Sequence, residues 1–143
     1  MTTATSTLDL FAGTIQKTDE WLHELMRQLG WKDPHRAYAA MRATLHALRD
    51  RLTTEEAAQL AAQLPLLVRG VWFEGWKPRP RPVPIKHIDD FYAAVERELR
   101  RDVDTSVPAV VQAVFGLLAR HVTQGEVTDV INSLPGELQS LWP

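Results

Sequence analysis

Leu52–Trp72, LTTEEAAQLAAQLPLLVRGVW, and Val122–Trp142, VTQGEVTDVINSLPGELQSLW, are two versions of one pattern seventy residues apart. Threonine, glutamate, leucine–proline and tryptophan recur at matched places: Thr53/Thr123, Glu56/Glu126, Leu64/Leu134, Pro65/Pro135 and Trp72/Trp142. A threonine three residues before a glutamate is the pattern of a capping box, in which each side chain satisfies an amide at a helix start. The proline twelve residues after each threonine suits the beginning of a further short helix.

The same register extends backwards. Thr18–Trp72 aligns with Ile88–Trp142 without a gap, with eleven identities over 55 positions. Apolar matches such as Trp21/Phe91, Leu25/Val95, Met41/Val111, Leu45/Phe115 and Leu60/Val130 support it. Two copies are too few for a solenoid, so the expectation is an all-α protein of two pseudo-symmetric, roughly four-helix units packed together. The implied organisation is an N-terminal extension over 1–17, a first helical repeat over 18–73, a proline-rich linker over 74–87 and a second helical repeat over 88–143.

Within the first unit, Trp21, Leu25 and Leu29 form a stripe at helical spacing that ends at Gly30. Asp33–Pro34 reads as an N-cap and first helical residue. Ala37, Met41, Leu45, Leu48 and Leu52 mark the buried side of the next helix, and Leu67, Val68 and Val71 are expected to close the core. In the second unit Phe91, Val95 and Leu99, then Val107, Val111, Val114, Phe115, Leu118 and Val122, play the same parts. Those valines lose rotamer freedom in a helix, a small cost that burial is expected to outweigh. In the extension, Leu8, Phe11 and Ile15 form a stripe expected to lie on the body, behind a Thr/Ser-rich opening expected to fray.

The stretch AMRATLHALRDRLTTEEAAQLAAQLPLLVRGVWFEGW, Ala40–Trp76, and the closing VTQGEVTDVINSLPGELQSLWP resemble a bacterial family, the domain of unknown function 2267 (DUF2267). The likeness covers nearly everything after residue 17. It implies an all-helical soluble domain and supplies no catalytic residues or ligand for these positions.

Cysteine is absent, which excludes disulfides, a thiol nucleophile and thiolate metal sites, and fits a cytoplasmic setting. The opening residues lack the basic and apolar regions of a signal peptide, and no apolar run is long enough to span a bilayer. Net charge is -2 but uneven. Residues 1–73 balance, 74–87 carry four Lys/Arg against one acid, and 88–143 carry four against nine. One four-charge strip is too narrow a field for a general nucleic-acid binder, and points to an acidic surface in the second half or on a partner.

Residues that carry chemistry elsewhere have local explanations here. Glu20 and His23 have the spacing of a di-iron ligand pair, but no second pair exists. His46, between Arg42 and Arg49, fits a polar helix face, and His121 beside Arg120 fits a helix C-terminus. His35 and His87 have no activating carboxylate at helical spacing. Asp19 and Asp89 recur where the first helices are expected to begin. There is no phosphate-gripping glycine loop, zinc-protease helix or serine elbow. No catalytic, cofactor or metal residues are therefore assigned.

The remaining candidates lie in the linker. Trp72 has a packing explanation in its repeat partner, whereas Phe73 and Trp76 have none. Pro78, Pro80, Pro82 and Pro84 enforce extended backbone, but their even spacing leaves no single polyproline face. Phe73, Trp76, Arg79 and Arg81 are thus the candidate partner-binding residues. They suit an inter-repeat groove that takes an unknown protein or acidic ligand. The alternatives are an enzyme with a pocket between the repeats, a weak nucleic-acid or anion binder, and assembly as a homodimer.

Overall fold

A computed structural model describes residues 7–99 and 104–143, and every regular element among them is helical. A 3-10 helix, Thr7–Phe11, leads into α1 (Ala12–Leu29), α2 (Pro34–Arg51), α3 (Thr54–Ala61) and α4 (Leu66–Phe73). After the linker come α5 (Ile88–Leu99), α6 (Val107–His121), α7 (Gln124–Ser133) and α8 (Gly136–Gln139). The fraying expected of residues 1–6 lies outside the described residues.

The boundaries follow the punctuation. Gly30 adopts the left-handed conformation at φ 70°, so the Trp31 amide can reach back to the Met26 carbonyl at 2.9 Å and close α1. Asp33 caps α2 by accepting from the His35 amide at 2.9 Å, ahead of Pro34. Thr53 and Thr123 accept from the amides of Glu56 and Glu126 at 3.1 and 3.4 Å. A cap the sequence reading missed is Ser106, which accepts from the Ala109 amide at 3.4 Å. The matched starts of α3 and α7 imply that Thr53→Ala costs about 1 kcal/mol, the usual worth of a side-chain cap. Urea unfolding of the single variant measures it.

Only half of each expected capping box forms. The Thr123 amide donates to Gln63 Oε1 at 2.8 Å rather than to Glu126. Glu56 and Glu126 each keep a buried Oε1 without a hydrogen-bond partner.

The four long helices form a ring. α1 packs on α2 and α6, α5 packs on α2 and α6, and α2 meets α6 across the middle. Each first helix thus lies chiefly on a helix from the other side of the linker, and the buried side chains make one continuous core. α4 covers α1 and α2, α8 covers α5, and α3 packs against α7. Because α2 is surrounded, its buried face includes Ala37, Ala40, Ala43 and Ala47 as well as Met41, Leu45 and Leu48. The small alanines let neighbouring helices approach closely. Trp21, Trp72, Phe91 and Phe115 are the largest fully buried side chains. Val110, Val111 and Val114 are fully buried in helix, so packing overrides their modest preference for strand.

Three expectations are corrected. α1 begins at Ala12, which leaves Asp19 in mid-helix rather than at a start. Leu8, Phe11 and Ile15 are not buried as a core stripe would be: they are 68%, 46% and 46% exposed. The reason is length, since α1 starts six residues before Thr18, the position aligned with the beginning of α5. Leu67 is also exposed, at 44%, and Val68 fills the place expected of it. Among the described residues no helix is long and apolar enough to cross a membrane.

Candidate functional site

The linker is a strap fastened to the body by its backbone. Beyond α4, Gly75 turns the chain at φ 69° and the Trp76 amide donates to the Phe73 carbonyl at 3.0 Å. The prolines then hold the strap extended, unable to donate hydrogen bonds of their own. Three of its backbone groups are held by the body: the Val83 amide donates to the Asp50 carbonyl at 2.9 Å. Arg51 Nε donates to the Ile85 carbonyl at 2.6 Å, and the Thr54 hydroxyl to the Arg79 carbonyl at 3.4 Å. Ile85 packs against the core.

Buried groups on α2 hold the near end. Arg49, 5% exposed, donates through Nη1 to the carbonyls of Trp72 and Glu74 at 2.8 and 2.9 Å, and through Nε to Asp50 at 2.9 Å. His46 bonds the Val71 carbonyl at 2.6 Å and Glu98 of α5 at 2.8 Å. Together they satisfy the carbonyls that end α4, with positive charge at the negative end of that helix. Arg42 grips Glu74 and also reaches Glu98 at 3.3 Å. The Arg42 hydrogen bond and charge hold the Glu74 carboxyl below its ordinary range. At the far end Glu137 accepts from the Ile88 amide at 3.1 Å and from His87 Nδ1 at 3.0 Å. That hydrogen bond raises the His87 pKa and lowers that of Glu137.

On this fixed backbone the candidate residues divide in two. Phe73 and Trp76 are half-buried, tilted together with ring centroids 5.2 Å apart, and packed against the core. Each ring is partly covered by the body and partly exposed. Arg79 and Arg81 are exposed, as are Lys77 and Lys86, and none of these four has an ion-pair partner among the described residues. By contrast Arg42, Arg49, Arg51, Arg69 and Arg120 are all engaged by carboxylates or carbonyls. The hollow beside Trp76, Lys77, Arg79 and Arg81 measures about 10 Å³, too little for a side chain.

The other residues weighed for chemistry stand apart. Glu20, His23, Glu24 and His121 line one open cleft of about 410 Å³, in which His23 bonds the Asp19 carbonyl at 2.9 Å and Glu20 pairs with Lys17. His121 reaches Glu24 at 2.6 Å and lies 5.0 Å, centroid to centroid, from the Trp21 ring. Burial pushes the Glu24 carboxyl up, but hydrogen bonds from His121 and Arg120 outweigh it and the pKa falls. Trp21 and His121 also border an open cleft of about 360 Å³ that Lys17 and Gln63 help to line. Among the described residues no three acidic or histidine side chains are grouped to hold a metal ion.

His46 is corrected: it is 3% exposed, not part of a polar face, because α4 and α5 both cover that side of α2. The register held a signal for it. At the seventy-residue offset His46 and Arg49 align with Gly116 and Ala119, so these two polar side chains have no polar counterparts there.

No curated protein matches the sequence. The model of a family described as an uncharacterized conserved protein (DUF2267) matches residues 18–141, nearly the whole chain, and the chain belongs to that family.

Proposed function

We propose that the protein is a non-enzymatic interaction module whose strap presents a prearranged basic surface to an acidic segment of a partner protein. Arg79 and Arg81 engage carboxylates, Lys77 and Lys86 add field, and the outer edges of Trp76 and Phe73 supply apolar contact. The observation that carries this reading is the gathering of four unpaired cations on one fastened strap, while Arg42, Arg49, Arg51, Arg69 and Arg120 of the body are engaged. Extended backbone tied down at Asp50, Arg51 and Thr54 loses little freedom on binding, so more of the contact energy appears as affinity.

In this reading the strap joins two homologous helical units, 18–73 and 88–143. Support comes from matched ends: α2 and α6 stop at Arg51 and His121, seventy residues apart. Caps recur at Thr53 and Thr123, and Pro65 and Pro135 precede α4 and α8 with ψ of 148° in both. Sharing one core would let the duplicated halves keep their fold while the strap, present once, took on binding.

The test is fluorescence polarisation of a labelled peptide of alternating glutamate and leucine, with a mixed-sequence single-stranded DNA in parallel. Wild-type protein should bind the peptide, and Arg79→Ala/Arg81→Ala should weaken it about tenfold or more, the worth of losing two exposed charge-assisted contacts. The thermal midpoint should stay within about a degree or two, since exposed unpaired side chains contribute little stability. Equal peptide binding by the double variant, or binding of the DNA in preference to the peptide, contradicts the proposal.

A further inference from the structure

We propose that Glu56 and Glu126 form a proton-operated latch between α3 and α7, closed while the two carboxyls share a proton and released when it is lost. This inference is independent of the strap. α3 and α7 pack against each other, and the first turn of each carries one of the matched glutamates. Neither side chain completes its expected cap. Instead Glu126, only 8% exposed, lies against Glu56, and one oxygen of each is buried without a partner. Two ionised carboxylates are acceptors only and cannot bond each other. One shared proton turns one of them into a donor and relieves both the repulsion and the unmet bonding.

Among the described residues, no cation on the elements packed here offers another solution. α3 carries only Glu55 and Glu56 as charged residues, and α7 only Glu126 and Asp129. On α6, which also packs against α7, Arg120 and His121 are turned to Glu24. Arg69 of α4 is occupied by the carbonyls of Ala61, Ala62 and Leu64. At the same seam Gln63 and Thr123 exchange two hydrogen bonds, Nε2 to Oγ1 at 3.0 Å and amide to Oε1 at 2.8 Å. These bonds fix the start of α7 against the end of α3 and hold the carboxyls in register.

Burial first, then the hydrogen bond and charge of Glu56, and finally the charge of Asp129, push Glu126 up to about 7. The ordinary value is 4.5, so the folded protein keeps a proton that the unfolded chain gives up. The resulting stabilisation is full below about pH 4.5 and is lost as pH rises through about 7. The latch therefore tightens on mild acidification and loosens above neutrality. His87, its pKa raised by Glu137, contributes in the same direction, which the variants below separate.

The experiment is thermal unfolding between pH 5.5 and 8.5 of wild type and Glu126→Gln, with amide hydrogen exchange of both at the two ends of the range. The glutamine amide donates to Glu56 at every pH and mimics the shared proton. The wild-type midpoint should fall by about 4 °C or more across the range, and the variant should lose at least about half of that fall. After correction for intrinsic rates, exchange in wild-type α3 and α7 should be about tenfold faster at the high end, while α2 and α6 change less. A variant with the full wild-type pH dependence, or uniform exchange changes across all four helices, overturns the latch. Should Glu126→Gln not fold, Glu56→Gln places the amide on the other helix and is judged by the same two criteria.

Discussion

Trp72→Ala should lose about 3–5 kcal/mol of stability, the usual cost of emptying a large buried aromatic site. For a domain whose total stability is about 5–15 kcal/mol, that brings unfolding within reach of ordinary temperatures. Trp72 is fully buried, and its indole donates to the Ala57 carbonyl at 3.1 Å, tying α4 to α3. Its counterpart Trp142 is 9% exposed, stacks on Phe115 with centroids 4.4 Å apart, and has no partner for its indole nitrogen. Trp142→Ala should therefore be the milder change. Trp72→Phe isolates the hydrogen bond: most of the ring stays, and about 1 kcal/mol should be lost. Urea denaturation of the three variants measures the series, and equal losses for the two alanine variants would contradict the burial difference.

Arg49→Met should cost about 2–4 kcal/mol, chiefly by leaving the Trp72 and Glu74 carbonyls without their donor. The Asp50 contact adds little, because that carboxylate is 42% exposed and screened by water. Arg49→Lys should recover only part of the loss. A single ammonium cannot reproduce a planar fork that reaches two carbonyls and a carboxylate together. Beyond stability, Arg49→Met should free the start of the strap, so the Trp76 amide should exchange faster than in wild type while α6 amides are unchanged. Equal stability of the methionine and wild-type proteins in urea would remove Arg49 as the fastening.

What the sequence made legible was local. Gly30, Asp33–Pro34, Thr53, Thr123, Pro65 and Pro135 each set a boundary through the backbone chemistry of one or two residues, and those boundaries hold. The stripes Ala37–Met41–Leu45–Leu48 and Val111–Val114–Phe115–Leu118 are buried as their spacing implies. A stripe does not name the helix it meets, however, and that is where the reading stopped. The lodging of α1 on α6 and α5 on α2 follows from three-dimensional fit.

The same limit governs the polar residues. His46 and Arg49 look like a solvated face until α4 and α5 close over them. Glu56 and Glu126 read as complete caps because nothing in either segment reveals that α3 and α7 face each other. The strap was easier, since proline fixes its own backbone and arginine charge needs no partner to be counted. Even there, the half-burial of Phe73 and Trp76 depended on how the strap crosses the body.

The central claim, that the anchored strap is the binding surface, is tested most directly by titrating the glutamate–leucine peptide into isotopically labelled protein and following amide chemical shifts. The largest changes should fall on Gly75–Ile85 and the Trp76 indole, with the centre of α6 undisturbed. Shifts centred on the cleft around Lys17 and His121, or no shifts at saturating peptide, would contradict it.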